Sequence, residues 1–99
     1  MVKLLMSWDI KSGREQPYFE FIVQEFAPGL MRLGLQPTEA WYCVYGEGPQ
    51  MLSGAVTEDL ESMHKILTSD DWRQLHDRLL DFVSNFGQKV VQANGRFQL

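Results

Sequence analysis

From Val2 to Ile10 the chain alternates: Val2, Leu4, Met6, Trp8 and Ile10 fall on one face, Lys3, Leu5, Ser7 and Asp9 on the other. A period of two marks a strand. After the turn residues Lys11 to Glu15, Pro17 suits a first helical turn, where its missing N–H would be unpaired anyway. Tyr18, Ile22, Phe26, Leu30 and Leu33 then recur at steps of four, four, four and three, which predicts an amphipathic helix. Gly34 can cap it. Pro28 lies inside that helix, withdrawing a donor from the carbonyl of Gln24 and crowding it, so a kink is expected near Ala27.

Ala40 to Tyr45 reads as a second strand, with Ala40, Tyr42 and Val44 against Trp41, Cys43 and Tyr45. Apolar on both faces, it is expected to be covered on both sides. Across a loop holding Gly48 and Pro49, Met51 to Val56 is close enough to pair back as a hairpin. Thr57 is expected to cap a short helix, with Glu58 and Asp59 complementing its dipole. Thr68, with Asp71 three residues on, is expected to open another, whose buried stripe is Trp72, Leu75, Leu79, Val83 and Phe86 and whose stop is Gly87. The valines at 90 and 91 then suggest a fourth strand, followed by an Asn94-Gly95 turn and a pairing tail, Arg96 to Leu99.

The resulting fold class is α+β: a ferredoxin-like β-α-β-β-α-β order with a split second helix and an antiparallel sheet carrying its helices on one face. It is read as a single domain, residues 1–99. The other face of that sheet would show water Leu5 and one apolar side of Ala40 to Tyr45. Packing it against the same face of a second copy removes the exposure, so a homodimer is expected.

Composition excludes several partners. Nine basic against thirteen acidic side chains give a formal net charge of −4, which repels phosphate backbones and anionic lipid. Nucleic acid and membrane are therefore not expected as partners. The single cysteine, Cys43, has no partner for an internal disulfide, and no apolar run approaches the ~20 residues of a bilayer span. Met1 to Lys11 alternates where a signal peptide would be uniformly apolar, and a cytoplasmic location is expected.

Few residues carry candidate chemistry. At 100° per residue, His76 lies roughly 40° round from Trp72, within the apolar arc of its helix. It is either a core histidine bonded to a carbonyl or hydroxyl, or a group projecting into a pocket between helix and sheet, where an imidazole could act as a base or bind metal. A dedicated metal site is not expected, because no His-x-x-x-His or Cys-x-x-Cys pair is present and a site would need at least three well-spaced donors. Asp70 and Asp71 read as helix-start residues, and Cys43 as an inert thiol among aromatics. Asp9 could line the sheet's second face beside Ser7. Trp8, Tyr42 and Trp72, with Asp9 and His76, form the candidate ligand-binding set for a flat or hydrophobic molecule.

The segment LTSDDWRQLHDRL, Leu67 to Leu79, resembles the Leu-x-Ser-Asp/Pro start of a helix in antibiotic-biosynthesis monooxygenase-type domains and haem-degrading monooxygenases of the dimeric α/β-barrel superfamily. The stretches Glu25 to Leu30 and Ala40 to Gln50 are similar to stress-responsive members of that superfamily. The resemblance covers nearly the whole chain and implies two ferredoxin-like sheets paired into a barrel. In the haem-degrading branch a helical histidine ligates iron, a tryptophan lies ten residues earlier and an asparagine stands on the first strand. Here His76 matches the ligand, while Ile66 and Ser7 stand where the other two should be. Haem enters only through this resemblance, and no other cofactor is expected.

The favoured function is a homodimeric α/β-barrel protein binding a small apolar or aromatic molecule between helices and sheet. An alternative is a cofactor-free or haem-dependent monooxygenase using His76 as a catalytic residue. A second alternative is a non-catalytic regulatory or assembly module. The residues are compatible with an enzyme and do not require one.

Overall fold

The computed structural model describes residues 1–92. Four strands, β1 (Val2–Ile10), β2 (Gln36–Tyr42), β3 (Met51–Thr57) and β4 (Val83–Gln92), form one sheet in the order β2-β3-β1-β4. Every neighbouring pair is antiparallel. Helices α1 (Glu15–Phe21), α2 (Ala27–Leu33), α3 (Leu60–Leu67) and α4 (Asp70–Leu79) make up the other layer. This is the ferredoxin-like α+β arrangement that the alternation predicts. The Asn94-Gly95 turn and the tail after it lie outside the described residues.

Alternation in β1 decides which face is the core. Val2, Leu4, Met6 and Trp8 are buried under the helices, and the register places Leu4 beside Ala55 on one side and Val90 on the other. Tyr18, Phe21, Phe26 and Leu30 close over them from α1, α2 and the turn between, with Met63, Trp72 and Leu79 from α3 and α4. Each large side chain removed from water this way contributes about 1.5–3 kcal/mol.

The helix broken by Pro28 does not simply kink. Between α1 and α2, residues Ile22–Phe26 form a π turn, and Pro28 lies in the first turn of α2. The wider turn takes up the register change that the missing N–H forces, and a proline at a helix start costs little. Arg78 of α4 grips Glu25 of this turn with both guanidinium nitrogens, Nη2 to Oε2 at 2.7 Å, and lies over the Phe21 ring. The segment ends at Gly34, whose φ of 96° is one that glycine adopts freely.

Three sequence expectations need correcting. The second strand begins at Gln36 and ends at Tyr42, because β3 starts only at Met51, the partner of Tyr42. It is an edge strand, and within one protomer it is not covered on both sides: Trp41 is 66% exposed and Tyr45, beyond the strand, 96%. The helix caps lie downstream of the threonines. Thr57 is held in β3 opposite Val2, so Asp59 caps α3 by accepting from Ser62 N at 2.8 Å. Thr68 donates to the carbonyl of His64, leaving Ser69 to accept from Trp72 N.

The last helix ends at Leu79, not at Gly87, and Val83 and Phe86 belong to β4. Residues three apart in a regular strand face opposite sides. Here the pairing shifts between Ser7–Gly87 and Asp9–Ser84, with Asn85 in the left-handed region at φ 55°. This bulge turns both Val83 and Phe86 toward the helices and gives the strand a helix-like spacing. Among the described residues no helix is long and apolar enough to cross a membrane.

Candidate functional site

A cleft of about 230 Å³ opens between the π turn with α2 on one side and β2–β3 on the other. Trp8, Tyr18, Ile22, Phe26, Leu30, Pro37 and Met51 make its apolar lining, and Thr38, Glu39 and Ser53 its polar members. Both walls are irregular backbone. The π turn carries Ile22 and Phe26, and the facing strand has a register shift between Pro37 and Glu39. Such defects hold two layers apart where regular elements would close.

Trp8 is the hub of this region. Its indole N–H donates to the Tyr18 hydroxyl at 2.9 Å, its ring meets Phe26 edge-on at 5.9 Å, and it stacks on Phe86 at 6.0 Å. Burial pushes the Tyr18 phenol above the ordinary tyrosine value, and the hydrogen bond from Trp8 partly opposes that shift. A buried tryptophan N–H normally needs an acceptor, and here the Tyr18 oxygen supplies it.

His76 is elsewhere. Its ring is stacked by Trp72 at 5.7 Å and met edge-on by Phe86 at 4.4 Å, and its Nε2 is buried without a hydrogen-bond partner among the described residues. The pocket expected around His76 is displaced to Trp8, because Trp72 and Phe86 fill the space between α4 and the sheet. A row of rings, Trp72, His76, Phe86, Trp8, joins the two places. A haem does not fit His76 here. Nε2 is sealed from solvent, so iron could reach it only if the packing around the ring opened.

The other candidates are scattered. Tyr42 ends β2 and is 56% exposed. The Asp9 carboxylate accepts from Asn85 Nδ2 at 2.8 Å and from the Gln50 N–H at 3.0 Å, while Gln50 Oε1 accepts from Ile10 N. These bonds, Asn85 first, hold its pKa below the ordinary carboxylate value. They pin the β4 bulge and the start of β3 to β1, a structural task. Among the described residues no three His, Cys, Asp or Glu side chains converge as metal ligands.

The sheet's open face forms a second concavity, a trough of about 510 Å³ floored by Leu5, Ser7, Leu52 and Gly87 and flanked by Trp41, Glu39 and Lys89. Lys3 of β1 and Glu39 of β2 form an ion pair over β3. Gly54 makes room for it: a Cβ there would stand 2.6 Å from Glu39 Oε1 and 2.7 Å from Lys3 Cε.

The sequence reading missed Tyr18 and Phe26 as cleft residues, assigning both to a helix stripe. The signal that could have found them is Pro28, which announces a defect in that helix two residues after Phe26.

The fold is ferredoxin-like α+β. No family model matches the chain, and no curated protein matches it in sequence. Solved structures do. A protein from Arabidopsis thaliana superposes with a TM-score of 0.80 at 12% identity, over 99% of this chain and 100% of that one. A candidate antibiotic biosynthesis monooxygenase from Deinococcus radiodurans gives 0.72 at 15%, over 100% and 98%. An uncharacterized NIPSNAP domain protein from Burkholderia xenovorans gives 0.71 at 9%, over 99% of both chains. At such identities the likeness establishes the fold.

Proposed function

We propose that the protein is a homodimeric α/β barrel whose protomers each bind one small apolar or aromatic molecule in the cleft at Trp8 and Tyr18. The observation that carries this reading is the cleft itself: about 230 Å³, lined mostly by apolar side chains, between helices and sheet. An apolar cavity of about 150 Å³ suffices for benzene, and drug-sized ligands need roughly 300–1,000 Å³. One or two rings fit between those limits.

The dimer is supported by the open face. Leu52 and Trp41 are paired neighbours there and are 46% and 66% exposed, with Leu5 beside Leu52's strand. A monomer seldom leaves such an apolar surface to water, and a two-fold pairing of identical faces covers both at once. The trough would then lie inside the barrel.

Calorimetric titration with indane tests the cleft. Saturable binding at one molecule per protomer is expected, weakened at least about tenfold by Ala40→Phe, which fills the cleft from the exposed edge strand. Absence of binding, or binding indifferent to Ala40→Phe, would sink the proposal.

A further inference from the structure

We infer that the molecule bound in the cleft carries a neutral carbonyl oxygen on its apolar frame and that Tyr18 donates a hydrogen bond to it. This rests on the cleft being a ligand site. Trp8 Nε1 already donates to the Tyr18 oxygen at 2.9 Å, so the tyrosine serves there as acceptor. Its own O–H forms no hydrogen bond among the described residues, although the residue is only 1% exposed. A buried hydroxyl proton without an acceptor is costly. Tyr18 lines the cleft, and an acceptor on the occupant removes that cost.

Three features narrow the acceptor. Donation from the indole polarises the phenol and strengthens it as a donor. Burial keeps the phenol protonated by pushing its pKa up, so the proton is there to give. Among the described residues the lining contains no lysine or arginine, so a carboxylate or phosphate would enter an apolar space without a counter-charge from them. A ketone or quinone oxygen has the acceptor without that penalty.

Indane and 1-indanone differ by the carbonyl alone and serve as paired probes for the full-length wild type and Tyr18→Phe. The expected result is about five- to tenfold tighter binding of 1-indanone than of indane to the wild type, with that preference lost in Tyr18→Phe. Should Tyr18→Phe not fold, infrared spectroscopy of wild-type complexes decides: the carbonyl band of bound 1-indanone moves to lower wavenumber than in alkane. Equal affinity of the wild type for both probes, or an unshifted band, overturns the inference and leaves the cleft as an apolar site. Binding of neither probe overturns it together with the reading of the cleft.

Discussion

The indole N–H of Trp8 donates to the hydroxyl of Tyr18 at 2.9 Å, tying β1 to α1 through an otherwise apolar interior. Tyr18→Phe keeps the ring but strands a buried donor, so a loss of about 1–3 kcal/mol in unfolding free energy is expected, measured by urea denaturation with an unchanged m-value.

The same phenol sets an alkaline limit. In the unfolded chain it ionises near about 10, while in the folded chain its pKa is raised by burial. Below the unfolded value both states are protonated and the contribution is complete. Above it the unfolded state has lost a proton that the folded state keeps, so stability falls as pH rises toward the folded pKa. The urea midpoint should therefore decline above pH ~10, and less steeply in Tyr18→Phe.

Asp9 works at the other end of the scale. Its pKa is depressed, first by Asn85 and then by the Gln50 N–H, so its contribution is present above the unfolded value, near about 3.9, and is lost as pH falls through the folded one. Asn85→Ala should move the Asp9 carboxyl titration, followed by carbon NMR, back up toward the ordinary value. An unmoved titration would mean that Asn85 does not hold the carboxylate.

Trp41 reports on the second copy. Because it is 66% exposed in the protomer, Trp41→Glu should change the protomer's own stability by no more than about 0.5 kcal/mol. In a dimer it would bury two unpaired carboxylates. Sedimentation should show the wild type as a dimer and Trp41→Glu as a folded monomer; a wild type monomeric at high micromolar concentration contradicts the open-face pairing.

For His76 the packing sets the expectation. Its Nε2 is buried without a hydrogen-bond partner among the described residues, so His76→Phe, which keeps a ring between Trp72 and Phe86, should leave the urea midpoint unchanged or raise it. Hemin titration should give the same Soret spectrum for wild type and His76→Phe. A saturable shift unique to the wild type would make His76 an iron ligand and require the ring stack to open.

Much of this molecule was legible in its sequence wherever alternation or helical period acts alone. The alternation of β1 named the buried face residue by residue, and Gly34 ended α2 where its φ of 96° demands glycine. The misreadings share one cause, a local irregularity set by tertiary pairing. The bulge at Asn85 gave Val83 and Phe86 a helical spacing inside a strand. The short reach of β3 left Val44 and Tyr45 beyond the sheet. The cleft was legible only as its ingredients, Trp8 and the defect at Pro28. Its position depends on a π turn facing a bulged strand, and neither has a local signature strong enough to locate the other.

The most direct test uses the three tryptophans as reporters of three places. Trp8 stands at the cleft, Trp72 beside His76 and Trp41 on the open face. Titrating nitrogen-15-labelled protein with 1-indanone while following the indole N–H resonances, assigned by single Trp→Phe variants, is expected to shift Trp8 saturably and to leave Trp72 and Trp41 nearly in place. A titration that moves Trp72 or Trp41 while Trp8 stays still would contradict the assignment of the cleft.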